Sequence, residues 1–160
     1  MKTIKIKRNT NGDTRVATKV PTWEEFSKAN YMHVRDVEHM MKEFAEELKE
    51  RAWNHDWSKM TEPHKSTFYR ELCNTIEGRI NFKDGEWYKF HCENERHHLL
   101  NCCPDDVNLV DVIEMLCDCV CAGMARSGEV RELKIDDDIL RRAVKNTVQM
   151  CADAVELEDF

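Results

Sequence analysis

The spacing of apolar residues predicts a chain made almost entirely of helices. From Pro21 onward the apolar positions recur with a helical period, and a capping-box sequence, Thr22-Trp-Glu-Glu25, opens a first predicted helix over residues 22–52. Four further helices are predicted over 63–76, 86–101, 105–126 and 137–156. We therefore expect an all-α fold, a compact bundle of about five helices.

The first 20 residues follow a different pattern. They are polar and turn-rich, with one short alternating stretch, Thr3-Ile-Lys-Ile-Lys7. This pattern predicts an extended arm that has room for a single edge strand. The predicted organisation is an arm over 1–20 followed by one helical domain over 21–160.

Composition restricts where the protein can be located and which partners it can bind. The chain has no apolar run of membrane-spanning length, and its lysine-rich start lacks the apolar middle of a signal peptide. We expect a cytoplasmic protein without a membrane span, located in the host cytoplasm if a phage encodes it. The net charge of -7, from 24 Lys+Arg and 31 Asp+Glu, argues against nucleic acid as a partner. It does not exclude a homo-oligomer.

The eight cysteines do not change this picture. Their spacing is irregular, and neither Cys102-Cys103 nor Cys117-Asp-Cys-Val-Cys121 is a C-x-x-C motif. We interpret them as reduced thiols that pack as small apolar residues.

Several polar residues occupy positions where a helix would be expected to carry apolar ones. His33 lies seven residues from both Phe26 and Met40, so it shares the apolar face of the first predicted helix. On the third predicted helix, polar residues recur at i, i+3, i+7 and i+10, with His97 beside them; they are His91, Asn94, His98 and Asn101.

The fourth predicted helix carries three carboxylates in line. Asp111, Glu114 and Asp118 stand at i, i+3 and i+7 among apolar residues, and burying unpaired carboxylates there would cost several kcal/mol. A His55-Asp56 doublet lies between two tryptophans just after the first helix. Imidazole nitrogen with carboxylate oxygen is a ligand set for Mn, Fe, Co, Ni or Zn, so we expect one or two such ions.

The order of these residues resembles the HD-domain superfamily of metal-dependent phosphohydrolases, whose helical fold carries the ligands His, His-Asp and Asp in that order. The resemblance implies that His33 is the first ligand, His55-Asp56 the doublet and Asp118 the closing ligand. Some members add two histidines after the doublet, which implies His91 and His98. The H-D-x-S-K, H-x5-H-H and E-M-x-C-D patterns also resemble a family of small phage and bacterial proteins with no assigned activity.

The resemblance leaves alternatives open. His97 competes with His98 as a ligand, and Asp111 or Glu114 competes with Asp118 as the closing carboxylate. The implied activity is hydrolysis of a small phosphate ester, with a nucleotide as the first candidate. Lys59 or Arg96 would hold the phosphate, and Glu114 would orient a histidine or act as a base. A diiron oxygenase and a non-catalytic interaction protein with a structural metal or a buried polar network are the alternatives.

Overall fold

The computed structural model describes residues 1–8, 11–13, 15–130 and 132–158. Residues 9, 10 and 14 of the predicted arm, and 131, 159 and 160 of the predicted helical domain, lie outside the described residues. The helices are α1 (Trp23–Asn54), α2 (Trp57–Met60), α3 (His64–Ile76), α4 (Glu86–Asn94), α5 (Leu109–Ser127) and α6 (Asp137–Asp153). Two four-residue strands, β1 (Ile4–Lys7) and β2 (Val155–Glu158), flank them. The prediction of an all-α fold with five substantial helices is confirmed.

Two helix boundaries differ from the prediction in a way that matters for the candidate site. α4 ends at Asn94 rather than at Asn101, because the backbone of Glu95 is extended (φ -100°, ψ 108°) and its side chain is buried. The Glu95 carboxylate accepts a hydrogen bond from the Ser58 backbone N–H at 2.9 Å. This tertiary contact outweighs the helix propensity of the segment. The predicted polar stripe over 91–101 is therefore wrong as a single helical face.

α5 begins four residues later than predicted because Asn108 caps it. The Asn108 side chain accepts from the Val110 and Asp111 backbone N–H groups, and the Asp111 carboxylate accepts from the Asn108 N–H at 3.0 Å. This is a complete capping box, which satisfies donors at the start of the helix. It also fixes the position of Asp111 on the first turn.

The contacts divide the chain into two units, Met1–Lys49 with Val148–Phe160, and Glu50–Thr147. In the first unit β1 pairs in parallel with β2, with Ile4 opposite Val155. The amino end is held on α1, where the Met1 ammonium pairs with Glu47 and the Lys2 N–H donates to Glu43 at 2.9 Å. The predicted strand in the arm is confirmed, and the predicted division at residue 20 stays a prediction.

The second unit has its own apolar core. Its buried members come from α5, α6 and the segment between α4 and α5: Leu99, Val107, Val112, Met115 and Ala143. The apolar face predicted on α1 does not form part of a buried core. None of the residues of this helix is buried, and Phe26 and Val37 are each 44% exposed. His33, on the same predicted face, is exposed as well.

Candidate metal centre

The His55-Asp56 doublet occupies the bend between α1 and α2, within the second unit. Asp56 precedes α2 in a left-handed backbone conformation (φ 55°, ψ 33°). Aspartate tolerates this conformation better than most residues with a side chain. The bend places the Asp56 carboxylate where histidines can approach both of its oxygens.

Two imidazoles face one oxygen of Asp56, and a third imidazole lies beside the first of them. His91 Nε2 lies 3.4 Å and His97 Nε2 lies 3.6 Å from Asp56 Oδ1, and His98 Nε2 lies 2.7 Å from His91 Nε2. One ligand atom from each of these four residues falls within 4.8 Å of the others. We call Asp56, His91, His97 and His98 the imidazole-rich group.

The donor atoms of the imidazole-rich group fit a divalent cation. Asp56 Oδ1 and His97 Nε2 are buried and have no hydrogen-bond partner among the described residues. Orphaned buried polar atoms are rare and need an explanation, and a bound divalent ion would satisfy both atoms. Burial lowers the pKa of His91 to about 3 and that of His98 to about 4, so both rings are neutral near pH 7. Neutral imidazole is the form that binds a metal.

Ser58 orients the first of these imidazoles. Its hydroxyl lies 2.7 Å from His91 Nδ1, which leaves His91 Nε2 to face Asp56. Ser58 is fully buried and its own N–H is held by Glu95. A hydrogen bond to the second ring nitrogen fixes the tautomer and the orientation of a ligand histidine. This contact gives the serine of the H-D-x-S-K pattern a physical role.

The other oxygen of Asp56 faces a second group. His55 Nε2 lies 3.3 Å from Asp56 Oδ2 and 3.8 Å from Asp118 Oδ1. We call His55, Asp56 and Asp118 the carboxylate-rich group; its ligand atoms also lie within 4.8 Å of one another. The Lys59 ammonium pairs with Asp56 Oδ2. Asp56 therefore belongs to both groups through different oxygens.

Glu114 contacts one histidine of each group, on the side of the ring away from Asp56. Its Oε1 lies 3.0 Å from His55 Nδ1 and 3.2 Å from His97 Nδ1, although the latter contact lacks hydrogen-bond alignment. Arg51 donates to Glu114 Oε2 at 2.9 Å. Burial alone would raise the pKa of Glu114, but the contacts with His97, Arg51 and His55 outweigh burial and lower it to about 2. With the Nδ1 atoms of both rings facing Glu114, the Nε2 atoms face the two oxygens of Asp56.

A different set of ligand residues is also compatible with these distances. His55, His97 and Glu114 themselves form a third group whose ligand atoms lie within 4.8 Å. The Arg51 guanidinium beside Glu114 favours an orienting role over direct ligation, because it already neutralises the carboxylate.

Asp111 and Arg96 form a structural ion pair rather than part of the candidate ligand set. Asp111 is fully buried, and Arg96 binds it with two nitrogens, each at 2.8 Å. Arg51 donates to the same carboxylate at 2.5 Å, and Arg96 also pairs with Asp106. The guanidinium of Arg96 is thus engaged by carboxylates, which argues against the expectation that it holds a phosphate. Asp111 belongs to none of the candidate metal groups of the described residues.

The structure brings together most of the residues expected from the sequence. His55, Asp56, His91, His98 and Asp118 lie in the candidate groups, and His97 joins His98 rather than replacing it. His33 belongs to the first unit and to none of the groups found among the described residues. It lines a groove of that unit together with Arg15 and Asp36.

Sequence reasoning missed three residues that support the groups. Arg51 stands four residues before His55, on the last turn of α1, and this spacing was a usable signal. Ser58 lies inside the quoted H-D-x-S-K motif, but its partner is far along the chain. For Glu95, no local pattern could have indicated that it accepts from Ser58.

The comparisons with known proteins identify the family. A family model covers residues 22–155, which include every member of the candidate metal groups. The chain belongs to DUF5662, a family of unknown function. No curated protein and no solved structure matches the chain significantly. In the described residues, no helix of this DUF5662 member is long and apolar enough to cross a membrane.

Proposed function

We propose that this protein is a metal-dependent phosphohydrolase that acts on a small phosphate ester, with a nucleotide as the first candidate. The observation that carries the proposal is the sharing of Asp56 between two groups of ligand-type side chains, one at each carboxylate oxygen. A carboxylate that bridges two ions is a common feature of phosphate-transfer sites.

The two groups offer different donor sets. The imidazole-rich group supplies three nitrogens and one oxygen and is the more buried, with His91 and His97 at most 3% exposed. Such a set suits Zn, Co, Ni or Fe. The carboxylate-rich group supplies one nitrogen and two oxygens, which also suits Mn. Divalent ions held there would lower the pKa of coordinated water and neutralise phosphoryl oxygens.

The chain's own side chains would bind and orient the substrate. His55 and Asp118 keep about 30% of their side-chain area exposed, so the carboxylate-rich group is open to a ligand from solvent. Lys59 is a third exposed beside Asp56 and is placed to pair with a phosphate oxygen. Glu114, with its low pKa and its Arg51 partner, is a poor base and instead holds His55 and His97 in place.

A turnover assay tests the proposal. Nucleoside mono-, di- and triphosphates are incubated with wild-type protein and with each of Mn, Co, Ni, Zn and Fe, and released phosphate is measured. We expect release that falls at least a hundredfold in Asp56→Asn and is retained in the control Asp106→Asn, whose carboxylate is 78% exposed. Release that survives in Asp56→Asn, or equal loss in both variants, would contradict the proposal.

One observation favours a non-catalytic alternative. The imidazole-rich group already offers four protein ligands, which is the closed set of a structural metal site. In that case the protein would retain one ion and release no phosphate from any nucleotide. Iron at both positions together with substrate-dependent oxygen uptake would instead identify an oxygenase.

A further inference from the structure

We propose that the first unit carries a groove that binds single-stranded nucleic acid. The groove, of about 390 Å³, lies between β1 and α1. Its polar lining is mainly basic and aromatic: Lys5, Lys7, Lys28, Tyr31, Arg35 and His39. We call it the β1–α1 groove. It goes beyond the proposed hydrolysis, since none of these residues belongs to the candidate metal groups.

The basic side chains reach the groove through the periodicities of two elements. Lys5 and Lys7 are two apart on β1, so their side chains share one face of the strand. On α1, residues 28, 31, 35 and 39 stand at i, i+3, i+7 and i+11 and form one stripe, about 16 Å long at the helical rise. The strand and the helix thus place cations along an elongated surface.

A second groove extends this track. It has a volume of about 440 Å³ and shares Lys7, Met32 and Asp36 with the first. It adds the side chains of Arg8 and Arg15. Two adjoining open grooves with cations along both suit a chain of phosphates better than a single small anion.

Most of these cations lie in no salt bridge formed by the described residues. Lys5 pairs with Glu158 at 3.0 Å. Ion pairs within the described part of the chain do not include Lys7, Arg8, Arg15, Lys28 or Arg35. The carboxylates that line the two grooves are Asp13, Asp36 and Glu158. In a chain of net charge -7, this is a local excess of positive charge, and unpaired cations along a groove are what a phosphate backbone requires.

Tyr31 favours a single strand over other polyanions. Its ring lines the β1–α1 groove and is 63% exposed, and the Arg35 guanidinium lies 5.8 Å from the ring centroid. Exposed aromatic rings beside arginine stack on unpaired bases, which a duplex does not offer. The acidic remainder of the protein also opposes the denser charge of a duplex.

Fluorescence anisotropy with a labelled oligo-dT of about ten nucleotides tests the proposal, using the full chain at several salt concentrations. We expect binding that weakens with salt. Lys28→Gln/Arg35→Gln should reduce the slope of log K against log salt by about 1.4, since each lost phosphate contact removes about 0.7. Tyr31→Ala should weaken binding roughly tenfold. The control is Lys42→Gln/Lys49→Gln, which removes two exposed α1 lysines that lie outside the grooves.

Two results would overturn the inference. One is absence of binding at low salt, or the same slope for both double variants, which would remove the groove as the binding surface. The other is displacement of the oligonucleotide by an equal phosphate concentration of inorganic polyphosphate with no effect of Tyr31→Ala. That result would reassign the groove to simple polyanions.

Discussion

Asp56 Oδ1 lies 3.4 Å from His91 Nε2, although α2, α3 and the start of α4 separate the two residues along the chain. The same oxygen is 3.6 Å from His97 Nε2, and it is buried without a hydrogen-bond partner among the described residues. This convergence makes Asp56 the centre of the candidate site.

Ser58→Ala should weaken metal binding without unfolding the protein. The Ser58 hydroxyl lies 2.7 Å from His91 Nδ1, and loss of a partner that orients a ligand histidine typically costs 10- to 100-fold in affinity. Competition between the protein and a chromogenic chelator for Co²⁺ measures this change. Ser66→Ala is the matched control, because its hydroxyl is exposed and bonds only Glu62. Equal affinities in the two variants would remove Ser58 from the centre.

Asp111→Asn should destabilise the fold strongly. Asp111 is fully buried between Arg51 and Arg96, so its neutralisation leaves two guanidinium groups without their main counterion. Breaking such a pair costs about 3 kcal/mol of unfolding free energy, measured by urea denaturation. Asp106→Asn breaks only the exposed contact of the same Arg96 and should cost less than about 1 kcal/mol. Similar losses in both variants would show that burial of Asp111 is not decisive.

The metal-free protein should lose stability as the pH falls below about 6.5. Burial lowers the pKa of His91 to about 3 and that of His98 to about 4, so the unfolded chain takes up their protons first. His97 works in the opposite direction: burial lowers its pKa, but contact with Glu114 outweighs burial and raises it, so its contribution is lost as the pH rises. Because the contribution of His97 is fully present below pH 6.5, His91 and His98 leave a net loss of stability between about pH 6.5 and pH 4.

Thermal unfolding in chelator across this pH range measures the effect. His91→Gln/His98→Gln should flatten the pH dependence, whereas His39→Gln, an exposed residue of α1, should leave it unchanged. A dependence as steep in the double variant as in the wild type would exclude these two imidazoles as its origin.

Lys59→Gln should retain metal and reduce phosphate release. Lys59 pairs with Asp56 Oδ2 but supplies no ligand atom to either group, so its loss leaves every candidate ligand in place and removes a cation placed to bind the substrate. Phosphate release and metal content are measured on the same samples. Lys65→Gln, on α3 outside the groups, is the control. Unchanged release would remove Lys59 from the substrate site.

The sequence predicted the bounds of the helices better than it predicted which residues pack against them. The bounds of α1 and α3 follow from local signals, such as the capping box at Thr22–Glu25, in which Thr22 and Glu25 exchange hydrogen bonds. The apolar stripe on α1 indicated a helix face but not which residues pack on it. His33 on that face was expected to be a metal ligand, and it is exposed. The predicted fifth helix over 137–156 wrongly includes Val155 and Glu156, which are the first two residues of β2.

The candidate ligands were found partly for an incorrect reason. His91 and His98 were placed on one helical face, but α4 ends between them and they meet across a turn, with their Nε2 atoms 2.7 Å apart. The helix end depends on the buried contact of Glu95 with Ser58, which no local pattern encodes. Residue type and order indicated the candidate ligands, whereas the tertiary contacts that orient them needed the structure.

The most direct test is elemental analysis of protein purified without an affinity tag or added metal, with Asp56→Ala beside the wild type. If Asp56 joins the two groups, the wild type should carry close to two equivalents of transition metal, and the variant should lose both. Metal content that is unchanged in Asp56→Ala would contradict the assignment of the centre. Wild-type protein that holds no metal and takes up none on reconstitution would contradict it as well.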